Sequence, residues 1–419
     1  MINLDNYFKI YPKIVKADSK ATLTIEPRFS DWHLPEGKYK FYYYSVNRCG
    51  NQDCRELNVG REQNKFYTEG FFEGEGEHII YIDTGDATLS FSVYSVNEDL
   101  LFRTPYKGDM HIHTYYSDGI ESPAYVACCC RKIGLDFVAI TDHGQYLPSI
   151  EAIETFKDLE LSFKIFPGEE VHAPGNPLHI VNFGGKFSIN ELFKKDREGY
   201  ERDVLAIEEK LKSDIPNIPE RYQLASSIWC FDKIKEAGGL GILCHPFWRV
   251  EEGYYISKRL LDLLYEKGPF QAIEIVGGYH MSELTSNNLQ IVSYYEKSRG
   301  GNIPVVGVTD AHGCETGSLF GWYYTVVFST SLELEDIIES IKAGYSVGVE
   351  AIPGREVRVY GSLRLTLFTL FLITELFPVH KKICEKEGIA MMEYIASEQQ
   401  NIVNYKENVE EFYKLYWQR

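Results

Sequence analysis

Residues 136–144, DFVAITDHG, join a short apolar run to an aspartate, a histidine and a glycine. The run has the length and composition of a buried strand. Similar runs recur along the chain: FKIFPGEEV at 163–171, LHIVNFG at 178–184, LGILCHP at 240–246, AIEIVGG at 272–278 and IPVVGVTD at 303–310. Helical stretches such as PAYVACCCRKIG, residues 123–134, lie between them. Apolar strands that alternate with helices predict an α/β fold with a parallel sheet, open or closed into a barrel.

This α/β block occupies residues 105–355, and the chain on either side of it has a different pattern. Residues 1–104 contain alternating runs such as TLSFSVYSV separated by turn residues, which predict an all-β, sandwich-like domain. Within the block, the charged residues 186–227 predict a helical insertion. Residues 356–419 predict a C-terminal helical extension that packs on the body or joins two copies into a homo-oligomer.

Composition and charge disfavour two classes of binding partner, nucleic acids and membranes. The formal net charge of −18 disfavours extended nucleic acid as a ligand. The longest apolar run, residues 363–379, has only ten uncharged residues between Arg364 and Glu375, where about 20 are needed to span a bilayer. Nine cysteines form no disulfide framework, and the N-terminus has no signal-like apolar core. We therefore expect a cytoplasmic protein that binds no membrane.

Histidines and carboxylates gather at the ends of the predicted strands. His111 and His113, in DMHIHTYYSDG at 109–119, are two residues apart and point to the same side of a strand. The other candidates are Asp118, His143, Glu170 with Glu169 beside it, His179, His245, Asp310 and His312. The carboxyl ends of parallel strands meet at one edge, where active sites form. Imidazoles with carboxylates suit zinc, manganese or iron, and nine ligands predict two or three divalent ions.

The motifs HIHTYYSDG, TDHG, PGEE, the histidine of LHIV, CHP and TDAH follow one another along residues 106–355. In this order they resemble the PHP (polymerase and histidinol phosphatase) family of metal-dependent phosphoesterases. The β domain that leads into YKGDMHIHTYYSDG is similar to the CehA/McbA branch, which includes carbamate and ester hydrolases. The resemblance implies a distorted (β/α)7 PHP barrel that carries a trinuclear metal centre.

The resemblance also implies which residues bind each ion. One ion would be held by His111, His113, Glu170 and Asp310, the second by Glu170, His179 and His245, and the third by Asp118, His143 and His312. The family pattern P-G-x-E selects Glu170 over Glu169. Some branches have histidine at the position of Asp118. The nucleophile would be a hydroxide on the metals that Glu170 and Asp310 hold.

A cluster of divalent ions keeps a positive charge and attracts an anionic substrate. We therefore predict a phosphoesterase that acts on a small phosphate mono- or diester or a short nucleotide. The same site could hydrolyse a carboxylic ester, an amide or a carbamate. A third interpretation is a non-catalytic module whose metals stabilise an assembly.

Seven more residues lie beside the predicted ligands: Asp109, Asp142, His172, Arg249, Tyr115, Tyr146 and Glu274. The first two aspartates either orient ligands or cap strand ends. The histidine is a candidate proton donor, with a solvent-facing loop residue as the alternative. The arginine either clamps a substrate phosphate or is a surface residue. The tyrosines are candidate substrate contacts, and Glu274 is interpreted as a structural residue of the barrel mouth.

Overall fold

The computed structural model describes residues 8–29, 39–47, 54–83, 88–250, 252–298, 303–315, 319–397 and 405–418. Two compact units divide the chain. The first unit comprises residues 1–104, 367–380 and 406–419, and the second comprises residues 105–366 and 381–405. Parts of residues 356–419, which the sequence predicts as one helical extension, thus belong to each unit.

The first unit is built mainly from strands. They are β1 (Phe8–Tyr11), β2 (Ile14–Lys16), β3 (Ser19–Pro27), β4 (Lys40–Ser45), β5 (Arg55–Leu57), β6 (Val59–Glu62), β7 (Lys65–Phe72), β8 (Gly76–Asp83) and β9 (Thr88–Val96), followed by the short helix α1 (Glu98–Leu101). They form a four-stranded sheet in the order β1-β3-β7-β6 and a five-stranded sheet in the order β2-β9-β8-β4-β5.

The two sheets of this unit share one apolar core. Buried and partly exposed residues alternate along β8, as the two faces of a half-buried strand require. Leu23 of β3 in one sheet and Ile80 and Val93 of β8 and β9 in the other belong to the same buried cluster. Removal of these apolar side chains from water stabilises the pair of sheets.

The second unit alternates strands with helices. In chain order these are β10 (Thr104–Asp109), α2 (Pro123–Lys132), β11 (Phe137–Ala139), α3 (Leu147–Phe156), β12 (Lys164–Phe166), β13 (Gly168–His172), β14 (His179–Phe183), α4 (Ile189–Lys195), α5 (Arg197–Leu211), α6 (Pro219–Glu236), β15 (Leu240–Leu243), β16 (Arg249–Val250), β17 (Gly253–Tyr254), α7 (Lys258–Lys267), β18 (Ala272–Val276), a 3₁₀ helix (Met281–Glu283), α8 (Leu284–Lys297), β19 (Val305–Gly307), β20 (Tyr323–Ser329), α9 (Leu334–Lys342), β21 (Ser346–Glu350) and β22 (Arg358–Tyr360).

Two large sheets organise these strands, one ordered β12-β11-β10-β20-β21-β22 and the other β13-β14-β15-β18-β19. Isolated parallel bridges pair Ile112 with Ala311 and His143 with Glu170. The α/β class is confirmed, whereas the (β/α)7 barrel stays a prediction. The predicted parallel pairing holds for β10-β11-β12 and β15-β18-β19. It is wrong for β14, which pairs antiparallel with both β13 and β15. Residues 173–178 between β13 and β14 are too few for the crossover that a parallel pair needs.

Local sequence signals account for where helices begin and end. Ser122 caps α2 by accepting a hydrogen bond from the Tyr125 backbone, and Pro123 occupies the first turn, where its missing N–H has no cost. Ser257 caps α7 in the same way, and the helix ends at Gly268, whose φ of 57° favours glycine. Because α2 starts just after the 114–119 loop, its cap also defines where that loop ends.

The C-terminal helices are α10 (Leu363–Glu375), α11 (Phe377–Ser397) and α12 (Tyr405–Tyr416). Within the first unit, the rings of Phe368 and Phe371 lie 4.9 and 5.2 Å from that of Tyr94. By length and hydropathy, none of the helices described could cross a membrane alone. The pair α10 and α11, bent by 63°, meets the length and hydropathy criteria when taken together.

Candidate metal centre

The segments that follow β10 and β19 run side by side and carry four of the predicted ligands. The His113 N–H donates to the Ala311 carbonyl at 2.9 Å, and the Asp310 N–H donates to the His111 carbonyl at 2.8 Å. Asp310 has a φ of 53°, a left-handed conformation that aspartate tolerates better than most residues. These bonds place His111 and His113 of one segment next to Asp310 and His312 of the other.

The Glu170 carboxylate of β13 is fully buried among histidine rings. Its Oε1 lies 2.9 Å from His179 Nδ1, 3.4 Å from His245 Nε2 and 3.5 Å from His111 Nε2. Its Oε2 contacts His143 Nδ1 and lies 3.4 Å from His172 Nε2 and 3.8 Å from His113 Nε2. Glu169 points to the other face of the strand, where Asn182, Ser188 and Asn190 donate to it. Of the two glutamates, Glu170 is therefore the one available to a metal.

Asp310 forms a second focus of the cluster. Its Oδ1 lies 2.8 Å from His113 Nε2 and 3.3 Å from His111 Nε2, and its Oδ2 lies 3.8 Å from His245 Nε2. Since His111 and His245 also face Glu170, the two carboxylates lie on either side of the same imidazoles. This is the arrangement expected where adjacent ions share ligands.

Asp118 forms the outer edge of the cluster. Its carboxylate oxygens lie 3.4 Å from His143 Nε2 and 3.3 Å from His312 Nε2. The His312 ring stacks on His113 with centroids 4.4 Å apart. The Asp118 side chain is 55% exposed, so this is the most open of the three groups. The nine predicted ligands thus lie in one connected cluster.

Several buried polar atoms of this cluster make no hydrogen bond within the part of the chain that the structure describes. They are Nε2 of His111, Nδ1 of His113, Nδ1 of His179 and both carboxylate oxygens of Glu170. An unsatisfied buried polar group costs about 1–3 kcal/mol, so such a concentration is unusual. His111 Nε2 and His179 Nδ1 face carboxylate oxygens without hydrogen-bonding geometry, which is the arrangement of ligands around a divalent cation. The donor set fits zinc, manganese or iron.

Protonation in the cluster follows from burial and charge. Burial opposes the charged form of His143, but Glu170 raises its pKa to about 9. Burial lowers the pKa of His179 to about 4, so this ring is neutral and able to bind a metal. Despite its burial, Asp310 has a pKa well below its usual range because His111 lies beside it. Buried carboxylates here require nearby positive charge, which divalent cations would supply.

Glu274 of β18, which the sequence analysis interprets as a structural residue, contacts two of the predicted ligands. Its Oε1 lies 2.7 Å from His111 Nδ1, and its Oε2 accepts from the His245 N–H at 2.8 Å. A carboxylate on one ring nitrogen fixes the tautomer and leaves the other nitrogen for the metal. The only signal for this role was its position in a strand that lies between two ligand-bearing strands.

The two predicted orienting aspartates hold backbone segments that carry ligands. Asp142 accepts hydrogen bonds from the backbone and hydroxyl groups of both Thr114 and Ser117. It therefore anchors the loop before Asp118. Asp109 accepts from the His111 N–H and from Thr309, and burial raises its pKa to about 7.

Three predicted substrate contacts, Arg249, Tyr115 and Tyr146, have other surroundings than the cavity described below. Arg249 is exposed on β16, and Tyr115 is 52% exposed and stacks on Tyr116. Tyr146 donates its hydroxyl to the Gly185 carbonyl at 2.7 Å. A cavity of about 250 Å³ opens onto the cluster and is lined by Asp118, His143, His179, His245, Asp310, His312, Trp248, Gly278, His280, Glu283 and Leu319. Among the residues described, the arginine and the two tyrosines are not part of this lining.

Comparisons with known proteins give limited similarities. No family model matches the chain. The uncharacterized protein MJ1587 of Methanocaldococcus jannaschii is 28% identical over 194 residues, which cover 43% of this chain and 87% of that protein. The DNA polymerase/3'-5' exonuclease PolX of Bacillus subtilis is 35% identical over 77 residues, 18% of this chain and 14% of PolX.

Among solved structures, a two-domain protein of Bacteroides vulgatus containing a predicted PHP-like metal-dependent phosphoesterase is similar at 18% identity. The match has a TM-score of 0.42 and covers 64% of this chain and 70% of that chain. The geometry of the site therefore carries the functional proposal.

Proposed function

We propose that this chain is a metal-dependent hydrolase of the PHP type that cleaves a small phosphate mono- or diester or a short nucleotide. The observation that carries the proposal is the buried Glu170 carboxylate, which makes no hydrogen bond among the residues described while six imidazole rings surround it. Such an arrangement has a cost in a folded chain unless a cation binds there.

Two or three divalent ions, zinc, manganese or iron, would be held by three groups of side chains, the first two of which share Glu170. The groups are His111, His113, Glu170 and Asp310; Glu170, His179 and His245; and Asp118, His143 and His312. Such ions supply a hydroxide nucleophile near neutral pH and stabilise charge on phosphoryl oxygens. Glu170 and Asp310 stay ionised at neutral pH because the histidines around them hold their pKa values low.

Charge favours an anionic substrate at this site. The proposed ligands include only three carboxylates, so two or three divalent ions leave the centre with a net positive charge. Glu274 and Asp142 support this arrangement, since one orients His111 and the other holds the loop before Asp118. A phosphate group in the cavity of about 250 Å³ would face His179, His245 and Asp310 at its wall.

A second candidate, hydrolysis of a carboxylic ester, amide or carbamate, is favoured by the rest of the cavity wall. Among the residues described, no lysine or arginine side chain lines the cavity. Trp248 and Leu319 contribute an apolar surface, and Glu283 is acidic. A polyphosphate would gain from cationic side chains that this wall lacks, whereas a neutral aryl ester would not need them.

A substrate panel separates these functions. The chain would be stripped with a chelator, reloaded with Zn²⁺, Mn²⁺ or Fe²⁺, and assayed on p-nitrophenyl phosphate, bis(p-nitrophenyl) phosphate, an aryl acetate and an aryl carbamate. We expect metal-dependent cleavage of a phosphate ester that disappears on chelation and returns on reloading. Ester or carbamate cleavage with no action on either phosphate would favour the second candidate. A metal-loaded chain that cleaves none of the four would favour a metal-stabilised assembly module.

A further inference from the structure

His172 is the last residue of β13 and lies on the same face as Glu170, two residues earlier. Asn190 holds both positions, because its Oδ1 accepts from the His172 N–H at 3.1 Å and its Nδ2 donates to the Glu170 carbonyl at 3.1 Å. The His172 side chain is only about a third exposed. Its direction is therefore set by the strand and by Asn190.

The His172 ring is packed into the proposed metal centre. Its Nε2 lies 2.9 Å from His143 Nδ1 and 3.4 Å from Glu170 Oε2. The ring stacks on His179 with centroids 4.1 Å apart and an interplanar angle of 26°. Ligand atoms from His143, Glu170, His172 and His179 all lie within 4.8 Å of one another.

The two oxygens of Glu170 face different rings, and this separates two groups of ligands. Oε1 faces His179, His245 and His111, whereas Oε2 faces His143 and His172 and, at the longer distance of 3.8 Å, His113. His143 is also divided, because its Nε2 faces Asp118 while its Nδ1 faces Glu170 and His172. The Oε2 side of Glu170 thus has its own pair of imidazole nitrogens.

We propose that His172 is a metal ligand: with His143 and His179 it forms a site around the Glu170 carboxylate, which is the fourth ligand. Three imidazoles and one carboxylate favour Zn²⁺, Fe²⁺ or Co²⁺ over Mg²⁺, which prefers oxygen ligands. This inference rests on the metal centre of the proposed function. It differs from the proton-donor role predicted for His172, because His172 is not among the described residues that line the cavity where a substrate would bind.

The first test compares metal binding by the wild-type chain, His172→Asn and a matched control, His280→Asn. His280 is an exposed histidine at the cavity edge. Bound metal per chain is measured by inductively coupled plasma mass spectrometry, and Zn²⁺ affinity by calorimetry. We expect His172→Asn to lose one ion per chain, or to bind its weakest ion about tenfold less tightly or worse, while His280→Asn keeps the wild-type values.

A second variant tests direct ligation. In His172→Cys loaded with Co²⁺, a thiolate ligand would add a charge-transfer band that the wild-type spectrum lacks, whereas a merely structural histidine would give none. Wild-type stoichiometry and affinity in His172→Asn, or no new band in His172→Cys, would overturn the proposal for His172. A wild-type chain that binds no divalent ion would instead overturn the proposed function itself.

Discussion

Buried histidines in the two units are satisfied in different ways. His78, in the first unit, has no exposed surface, yet its Nδ1 lies 2.7 Å from the Tyr43 hydroxyl and its Nε2 lies 2.6 Å from Ser95 Oγ. His111 and His113, in the second unit, are just as buried, and each has a ring nitrogen without a hydrogen bond among the residues described. Burial alone therefore does not distinguish a candidate metal ligand, whereas a buried ring nitrogen left without a hydrogen bond does.

One buried charged side chain of the second unit, Arg131, has hydrogen-bond partners for its whole charged group. The buried Arg131 guanidinium donates to Glu387, Asp136, Ser162 and the Leu135 carbonyl. Each of the three guanidinium nitrogens thus donates a hydrogen bond, as buried charges normally require. Five of the buried atoms without a hydrogen bond among the residues described belong instead to the candidate centre, which is expected if a ligand completes it.

The largest effect is expected from His111→Ala combined with His113→Ala. Loss of two ligands should abolish metal binding and reduce metal-dependent turnover by about 10³-fold or more, because the ions contribute several kcal/mol to catalysis. The measurements are metal content and kcat/KM on the best substrate of the panel. Unchanged amide protection in β8 and β9 would verify that the first unit is still folded. Near wild-type turnover would contradict the assignment of both ligands.

The next largest effect is a loss of stability at acidic pH that comes from the buried His78. Burial lowers the pKa of His78 to about 4, below the usual value of about 6.5. Between these values the unfolded chain binds a proton that the folded chain does not, so stability is complete above pH 6.5 and falls toward pH 4. The two pKa values differ by roughly 2.5, and each pKa unit corresponds to about 1.4 kcal/mol, so the loss amounts to about 3 to 4 kcal/mol.

Amide hydrogen exchange of β8 and β9 at pH 7 and at pH 4.5 measures this loss locally, after correction for the intrinsic exchange rates. A His78→Gln variant serves as the control, since it has no group that titrates in this window. If wild type and variant show the same dependence of protection on pH, the buried histidine is not its cause.

A smaller effect is expected from Glu274→Gln. The amide can no longer accept from both His111 and the His245 backbone, so the His111 ring loses its fixed orientation. We expect metal affinity to fall by about 10- to 100-fold. Glu169→Gln is the matched control, because Glu169 is equally buried but faces Asn182 and Ser188. Equal losses of metal affinity in the two variants would mean that the effect comes from general destabilisation.

The smallest effect is expected from Tyr146→Phe. The Tyr146 hydroxyl donates to the Gly185 carbonyl, and its loss should cost about 1 kcal/mol of stability. Chemical denaturation measures this change, while KM and kcat should match the wild-type values. A clear rise in KM would instead restore the predicted role of Tyr146 as a substrate contact.

Strand ends explain how much of the site could be read from the sequence. In DFVAITDHG, the strand β11 covers Phe137–Ala139 and His143 follows it, and in LGILCHP the strand β15 ends just before His245. Apolar runs are visible in any single segment, and the carboxyl ends of parallel strands meet at one edge. His179, at the amino end of the antiparallel strand β14, reaches the same edge. The candidate ligands could therefore be named without knowing how the strands pair.

Partnerships between distant residues could not be predicted in this way. The contact of His111 with Glu274 joins positions 163 residues apart and depends on the register of β18. From the sequence alone, His172 could equally have faced solvent. It reaches His143 because β13 extends through residue 172. The exposed position of Arg249 likewise depends on the short β16-β17 hairpin that follows His245.

The sequence by itself determined the α/β class of the central block and the set of histidines and carboxylates at its strand ends, because hydrophobic periodicity and residue type are local properties. Only the tertiary structure decided which atoms of those residues are left without hydrogen bonds and which rings share Glu170. The physical reason is that hydrogen bonding and burial depend on neighbours from other strands, and no local pattern specifies them.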